Sequence, residues 1–133
     1  MPVGAEPVAT LPPGVDAAAP QQAVPALILA ERQAAIDGDL ALLSRLWASD
    51  ARIVDGRGTP DSADDYVWQG RDAILDRYTL AVFPAPPPPL NQEQLADLVL
   101  TVEGDAAHAE LGVDRWRIVR LDGRWLLAEL RYN

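Results

Sequence analysis

The chain has 133 residues, 49% of them apolar, which suits a single domain with one buried core. Its formal net charge of −9 argues against binding to nucleic acid or to anionic membranes, because both need a basic protein surface. Cysteine and lysine are absent, which excludes thiolate chemistry, disulfides, lysine Schiff bases and lysine-dependent phosphate loops.

The N-terminal segment differs in composition from the rest of the chain. Residues 1–25 are rich in Pro and Ala and show no hydrophobic periodicity, which predicts a flexible tail ahead of a domain at 26–133. No basic stretch precedes an apolar one here, and no apolar run approaches the roughly 20 residues of a membrane helix. We therefore expect a cytoplasmic protein.

Two helices are predicted at the start of the domain. The first spans residues 26–37, with Pro25 suited to its first turn, and it ends at Gly38. Asp39 is a good N-cap for a second helix at 40–48, whose leucines form an apolar stripe.

A strand, a loop and a third helix follow. Residues 51–55 predict a short strand that ends in Asp55, and the Gly, Pro and Asp residues of 56–69 predict a loop. The apolar spacing of 71–83 predicts a third helix. The proline run at 84–89 ends this helix and forms a stiff connector after it.

The last forty residues predict an antiparallel meander. Its strands are expected at 95–103, 107–121 and 124–132. A Gly-Asp pair at 104–105 and an Asp-Gly pair at 122–123 supply the two turns, the second being the strongest hairpin signal in the chain. Helices followed by such a sheet predict an α+β fold.

Two-residue turns would define which side chains share a face of the sheet. One face is then apolar and is the expected core face, with Leu98, Leu100, Val102, Ala109, Leu111, Val113, Ala128, Leu130 and Tyr132. The other face mixes aromatic, apolar and charged residues: His108, Glu110, Asp114, Trp116, Ile118, Trp125, Leu127, Glu129 and Arg131. Such a mixed face suits the interface of a homodimer, although a bulge in the long strand would swap the two faces over part of its length.

The order of these elements resembles a known superfamily. Two helices joined at Gly38-Asp39, a strand Ala-Arg-Ile-Val-Asp ending at Asp55, and a third helix after Gly70 are similar to the nuclear-transport-factor-2-like (NTF2-like) superfamily, in its SnoaL-like and ketosteroid-isomerase-like branch. The resemblance covers about residues 26–132. It implies a cone-shaped, curved antiparallel sheet wrapped around three N-terminal helices, with a pocket inside.

The resemblance implies roles for two aspartates. Asp55 matches the carboxylate that serves as general base, moving a proton between carbons next to a carbonyl; alternatively, it simply opens a turn with Gly56. Asp114 matches an aspartate that stays protonated and donates to the developing oxyanion; alternatively, the idealised register pairs it with Arg131, which would hold it ionised.

Glu31 is the clearest departure from the resembled isomerase, which has its oxyanion-hole tyrosine at that place. A carboxyl group there would donate only when protonated, or would serve as a second acid or base. Its apolar helical neighbours favour burial, which would raise its pKa; the alternative is a surface glutamate paired with an arginine one turn away. The sequence leaves both open.

No metal site or cofactor is expected. His108 is the only histidine and has no second ligand at a useful spacing, so it is expected to be an exposed hairpin residue. The acidic loop at 61–65 lacks the alternating oxygen ligands and the glycine of a calcium loop.

Five aromatic residues cluster around the second and third predicted helices. In a cone-shaped fold the core and the pocket wall are the same residues, so these side chains are candidates for ligand contact. They are Trp47, Tyr66, Trp68, Tyr78 and Phe83.

Two functional hypotheses follow. The first is a pocket for a small apolar molecule, with Asp55 as base and Glu31 or Asp114 as its partner, acting on a carbonyl or polycyclic substrate as an isomerase or cyclase does. The rival is a non-catalytic module that binds a ligand or a protein, with Asp55 as a turn residue. A superfold that hosts enzymes and non-enzymes alike does not decide between them.

Overall fold

A computed structural model of the chain describes residue 15 and residues 19–133. The predicted tail at 1–14 and 16–18 lies outside the described residues. The elements in chain order are α1 Pro20–Asp37, α2 Leu40–Leu46, β1 Trp47–Asp55, β2 Tyr66–Gln69, α3 Arg71–Arg77, α4 Gln92–Leu95, β3 Val99–Glu103, β4 Ala106–Leu111, β5 Asp114–Leu121 and β6 Arg124–Tyr132. A 3₁₀ turn, Ser62–Asp64, precedes β2, and a π-helical segment, Tyr78–Val82, continues α3.

Helix α1 begins earlier than its sequence predicts. Pro20, rather than Pro25, occupies its first turn, where the fixed φ of proline and its missing N–H are both tolerated. The helix ends at Gly38, as predicted, because Gly38 adopts φ 70° and its N–H donates to the carbonyl of Ala34. Val15 belongs to the predicted tail, yet its side chain is fully buried in the core.

Asp39 caps α2 as predicted, its carboxylate accepting a hydrogen bond from the Leu42 N–H at 3.1 Å. Because this bond satisfies an N–H that has no partner within the helix, we expect Asp39→Ala to lower the free energy of unfolding by about 1 kcal/mol. Urea denaturation measures this change. Asp50→Ala, at an exposed position, is the matched control, and equal losses in the two variants would contradict the capping role.

The strands form one six-stranded curved sheet in the order β2-β1-β6-β5-β4-β3. All neighbouring pairs are antiparallel except β1 and β6, which run parallel, so the sheet is mixed rather than purely antiparallel. Strand β2 lies in the region that the sequence assigns to a loop. It forms because Tyr66–Gln69 pairs with the end of β1, a tertiary contact that the Gly- and Asp-rich flanks conceal.

The long strand predicted at 107–121 is in fact a hairpin. Gly112, at φ 62°, and Val113 form a two-residue turn between β4 and β5. Leu111 and Asp114 therefore pair across the turn, and Asp114, Trp116 and Ile118 lie on the same face as the buried Ala107 and Ala109. Val113, predicted for the core, is 65% exposed at the turn.

A bulge in β6 shifts the register once more. Arg117 pairs with Glu129 and Ile118 with Leu127, which leaves Ala128 as an extra residue in β6. Trp125 and Leu127 on one side of the bulge, and Leu130 and Tyr132 beyond it, all contribute to the interior. A register with two-residue turns and no bulge pairs Arg117 with Ala128 and Arg115 with Leu130, and this register is wrong.

These shifts remove the mixed face that the sequence assigns to a homodimer. Trp116, Ile118, Trp125 and Leu127 are buried in the protein's own core. A homodimer stays a prediction, and its interface would not include these four side chains. Among the described helices, none combines the length and the apolar character needed to cross a membrane.

Candidate functional site

An open cavity of about 390 Å³ lies between the helices and the sheet. Its walls come from α1, from α3 with its π-helical extension, from β2, β5 and β6, and from the proline-rich connector that follows the third helix. The lining residues are Glu31, Arg32, Ala35, Trp68, Arg77, Tyr78, Ala81, Val82, Ala85, Pro87, Asp114, Leu130 and Tyr132. The wall is mainly apolar and aromatic, with a few converging polar groups, as is usual for a small-molecule pocket.

Glu31 reaches this cavity from α1. It is one helical turn after Leu27 and one before Ala35, both buried, so it lies on the stripe of α1 that faces the interior. Of the two alternatives that the sequence leaves open, the structure shows the inward-facing one. Arg32, the next residue, also lines the cavity, and its Nη1 donates to the Pro88 carbonyl at 2.9 Å.

A chain of hydrogen bonds fixes the Glu31 carboxyl group. Tyr78 donates its hydroxyl to Oε2 of Glu31 at 2.5 Å, and the same hydroxyl accepts from Nε1 of Trp47 at 3.2 Å. Trp47 and Tyr78 are both almost completely buried. The Trp47 N–H thereby determines the direction in which the Tyr78 hydroxyl donates, and the tyrosine holds one carboxylate oxygen of Glu31 in place.

The local helix geometry helps to place Tyr78. At this residue α3 widens into the π-helical segment, in which the Phe83 N–H donates to the Tyr78 carbonyl at 2.8 Å. Such segments recur at functional sites because they rotate side chains out of the regular helical phase.

Burial governs the acid–base properties of the site. Desolvation is the largest effect on Glu31 and raises its pKa above 4.5. The hydrogen bond from Tyr78 and the charges of Arg32 and Arg77 oppose this rise, and the charge of Asp114 adds to it. Desolvation, followed by the neighbouring Glu31 charge, raises the pKa of Tyr78 well above 10.0, so the phenol stays protonated at neutral pH. Desolvation also raises the pKa of Asp114, and Arg32 lowers it.

Asp114 faces the cavity rather than Arg131. The hairpin turn places it on the inner face, and the Arg131 guanidinium instead binds Asp65 at 3.1 Å. The predicted Asp114–Arg131 pair is therefore wrong, because the idealised register contained neither the turn at Gly112 nor the bulge in β6.

Asp55 does not line the cavity. It ends β1, as the sequence predicts, but its Oδ1 accepts from the Arg57 N–H at 2.8 Å, which is the turn arrangement given as its alternative role. The structure therefore brings Glu31 and Asp114 together and leaves Asp55 apart from them.

Two of the five candidate aromatic residues, Trp68 and Tyr78, line the cavity. Trp47 lies behind Tyr78 and supports it from the core. Tyr66 is 50% exposed and contacts Trp68 in a tilted arrangement, with ring centroids 4.6 Å apart. Phe83 packs beside Tyr78, at 6.1 Å between centroids, without lining the cavity.

Sequence reasoning missed three polar lining residues, namely Arg32, Arg77 and Tyr132. Arg32 directly follows the candidate Glu31, and Arg77 directly precedes the candidate Tyr78. This adjacency in the sequence is the signal that could identify them as site residues. The sequence predicts Tyr132 for the core face of the sheet, without a role in the site. In the described part of the chain, no group of three or more His, Asp or Glu side chains could hold a metal ion.

The raised pKa of Glu31 predicts a specific dependence of stability on pH. The folded protein holds the Glu31 proton more tightly than the unfolded chain, so its contribution to the free energy of unfolding is complete below pH 4.5 and is lost as pH rises through the higher folded pKa. Glu31→Gln should remove this part of the slope in urea denaturation between pH 4 and 8. An unchanged slope would contradict the raised pKa, and Asp37→Asn on the exposed side of α1 is the control.

Comparison with known proteins supports the fold. No protein-family model matches the chain, and no curated protein matches it. Among solved structures, LinA has a TM-score of 0.64 and 16% identity, covering 90% of this chain and 88% of its own. An NTF2-like superfamily protein from Salmonella enterica has a TM-score of 0.63 and 14% identity, covering 85% of this chain and 89% of its own.

A third structure, a candidate dehydratase of the NTF2-like family from Streptomyces avermitilis, has a TM-score of 0.55 and 19% identity. It covers 83% of this chain and 94% of its own. At such identities the likeness concerns the fold alone. The resemblance drawn from the sequence is confirmed at that level: the chain adopts the NTF2-like fold, an α+β curved sheet with a pocket between the sheet and the helices.

Proposed function

We propose that the cavity binds a small, largely apolar molecule and that Glu31 transfers a proton to and from a carbon next to a carbonyl group of that molecule, as an isomerase or cyclase does. The observation that supports this most is the Glu31 carboxyl group, which lies in the cavity wall, is held by the Tyr78 hydroxyl and has a raised pKa. A carboxyl group whose pKa lies closer to neutrality is the better general base at neutral pH.

The steps balance without a cofactor. The Glu31 carboxylate takes the proton from the α-carbon, the C–H electron pair moves into the new C=C bond, and the carbonyl oxygen becomes an enolate. Asp114, whose pKa is also raised by burial, donates a hydrogen bond to that oxygen while it is protonated. Where a C=C bond is conjugated with the enolate, Glu31 then returns the proton to the γ-carbon. Otherwise the enolate carbon attacks a second carbonyl in the same molecule, and the resulting alkoxide oxygen takes the proton from Glu31.

The fixed Glu31 carboxylate oxygen supports this assignment geometrically. Tyr78 occupies Oε2, so Oε1 is the oxygen available to a substrate carbon. Because Tyr78 is held in turn by Trp47, little reorganisation is needed when the substrate binds. The apolar walls, with Leu130 and Val82 among them, would cover the apolar body of the substrate and reduce the access of water to the enolate.

Proton exchange on a bicyclic ketone tests the proposal. With 2-tetralone in D₂O, the protein should accelerate loss of the α-proton signals in ¹H NMR above the buffer rate. Binding of the ketone without acceleration, for this probe and for a panel of cyclic ketones, would contradict the catalytic assignment and favour the rival, a non-catalytic ligand-binding module.

A further inference from the structure

Arg77 is the most unusual polar group in the cavity, because aromatic rings surround its guanidinium. Its Cζ lies 4.9 Å from the ring centroid of Trp68, 5.6 Å from that of Tyr132 and 5.7 Å from that of Tyr78. Its Nη2 also donates to the Tyr132 hydroxyl at 3.1 Å. Rings from β2, β6 and the end of α3 thus hold the guanidinium in one orientation at the cavity wall.

Arg77 forms no ion pair in the part of the chain that the structure describes, although its charge acts on the Glu31 carboxyl group. Other arginines there form ion pairs away from the cavity, namely Arg52 with Glu129, Arg115 with Glu110 and Arg131 with Asp65. Of the five N–H donors of Arg77, the hydrogen bond to Tyr132 accounts for one. In a protein with 20 acidic residues, a cavity arginine bound to rings rather than to an acid retains its fork of donors for a ligand.

We propose that the ligand of this cavity carries a carboxylate group that Arg77 binds, so that the substrate class is a largely apolar carboxylic acid that also carries the reacting carbonyl group. This inference rests on the proposed function and names its substrate class more closely. The ligand carboxylate would take the donors of Arg77 that point into the cavity, while its apolar body packs against Trp68 and Leu130. Because the rings already orient the guanidinium, binding orders few additional groups.

The other charges in the cavity are compatible with an anionic ligand. Glu31 and Asp114 face Arg32 and Arg77, so the four groups balance even when fully ionised. Burial raises the pKa of both carboxyl groups, which reduces their repulsion of an anion. Arg32 is the weaker candidate for the anion, because its charge acts on both Asp114 and Glu31, whereas that of Arg77 acts, of these two, on Glu31. The net charge of −9 repels a bound anion mainly from a distance, and physiological salt screens that repulsion over about 8 Å.

A matched pair of probes tests the carboxylate preference in the unmodified protein. 2-Naphthoate and 2-naphthamide have the same shape and differ in the charge of one group. Titration calorimetry should show the acid binding about 10-fold to 100-fold more tightly than the amide. On addition of the acid, the Arg77 Nε–H signal in ¹⁵N NMR should shift, which locates the contact.

Variants of Arg77 separate its charge from its shape. Arg77→Gln should reduce the affinity for 2-naphthoate by the same 10-fold to 100-fold and leave that for 2-naphthamide nearly unchanged. Arg77→Lys keeps the charge without the planar fork and should give an intermediate loss. Arg57→Gln, an equal change of charge at an exposed position outside the cavity, is the control and should bind both probes as the unmodified protein does.

Equal affinity for the acid and the amide would overturn the inference, as would equal losses for both probes in Arg77→Gln. Binding of neither probe would overturn it together with the small-molecule pocket. By contrast, 2-naphthoate bound through Arg77 in a protein that exchanges no α-protons of cyclic ketones would support the anion site while removing the catalytic part of the proposed function. Should Arg77→Gln fail to fold, the two probes with the unmodified protein and with Arg77→Lys decide the matter.

Discussion

Glu31→Gln is expected to lower the rate of α-proton exchange on 2-tetralone by about 10²-fold to 10⁴-fold, the usual contribution of a positioned general base. Glutamine has nearly the same shape, and its amide oxygen still accepts the hydrogen bond from Tyr78. The amide cannot take up the substrate proton, so the loss should fall on the rate of turnover. The affinity for the ketone should change by less than about 3-fold, since the lost interaction belongs to the transition state.

Two further substitutions make this result interpretable. Asp37→Asn removes an exposed carboxylate from the same helix, where it accepts from the Gln33 side chain at 3.0 Å, and should leave the exchange rate unchanged. Asp55→Asn tests the base that the family resemblance implies. If Asp55→Asn abolishes exchange and Glu31→Gln does not, the assignment of the base to Glu31 is wrong and the resemblance identifies the residue correctly.

The features best predicted from the sequence are those set by single residues acting on their immediate neighbours. Gly38 ends α1 because its backbone adopts the left-handed conformation, and Asp39 caps α2 through a local hydrogen bond. The Asp122-Gly123 pair turns between β5 and β6 as its composition indicates. Helix order and hairpin position follow from such local chemistry, and so the resemblance to the NTF2-like fold was visible.

Which side chains of the meander face the core could not be predicted in the same way. Gly112-Val113 is a weak turn signal, and only the pairing of β4 with β5 shows that it forms a hairpin. The extra residue at Ala128 lies in the apolar run 125–128, so the alternation of apolar and polar residues does not locate it within that run. The turn at Gly112 and the bulge at Ala128 each exchange the inner and outer faces of the residues that follow. An alternation without them places Trp116 and Asp114 on the outer face of the sheet.

The site combines groups whose proximity depends on tertiary structure. Glu31 belongs to α1, Tyr78 to the end of the third helix and Trp47 to the start of β1, so no local pattern reveals their hydrogen bonds. Arg77 meets Trp68 and Tyr132 from two further strands. The sequence could nominate Glu31 and Tyr78 singly, from residue type and apolar surroundings, but not as a pair.

Tyr78→Phe is expected to lower the free energy of unfolding by about 1–3 kcal/mol, although it removes one oxygen atom. The Tyr78 hydroxyl is the acceptor for the Trp47 N–H and the donor to Glu31, and both neighbours lose their partner together. Trp47 has no exposed surface, so its N–H cannot form a hydrogen bond with water instead. Leaving this buried N–H without a hydrogen bond is the largest part of the lost stability. Urea denaturation at neutral pH measures the loss.

Tyr66→Phe is the matched control, since Tyr66 is half exposed and its ring rather than its hydroxyl makes the contact with Trp68. It should change the free energy of unfolding by less than about 0.5 kcal/mol. Tyr78→Phe should also raise the pKa of Glu31 further, because the hydrogen bond from Tyr78 is the largest effect holding that pKa down. Carbon-detected NMR titration of the Glu31 carboxyl group measures this shift. A fall in the Glu31 pKa, or equal losses of stability in the two tyrosine variants, would show that Tyr78 does not hold the carboxylate, and the preorganised base would have to be abandoned with it.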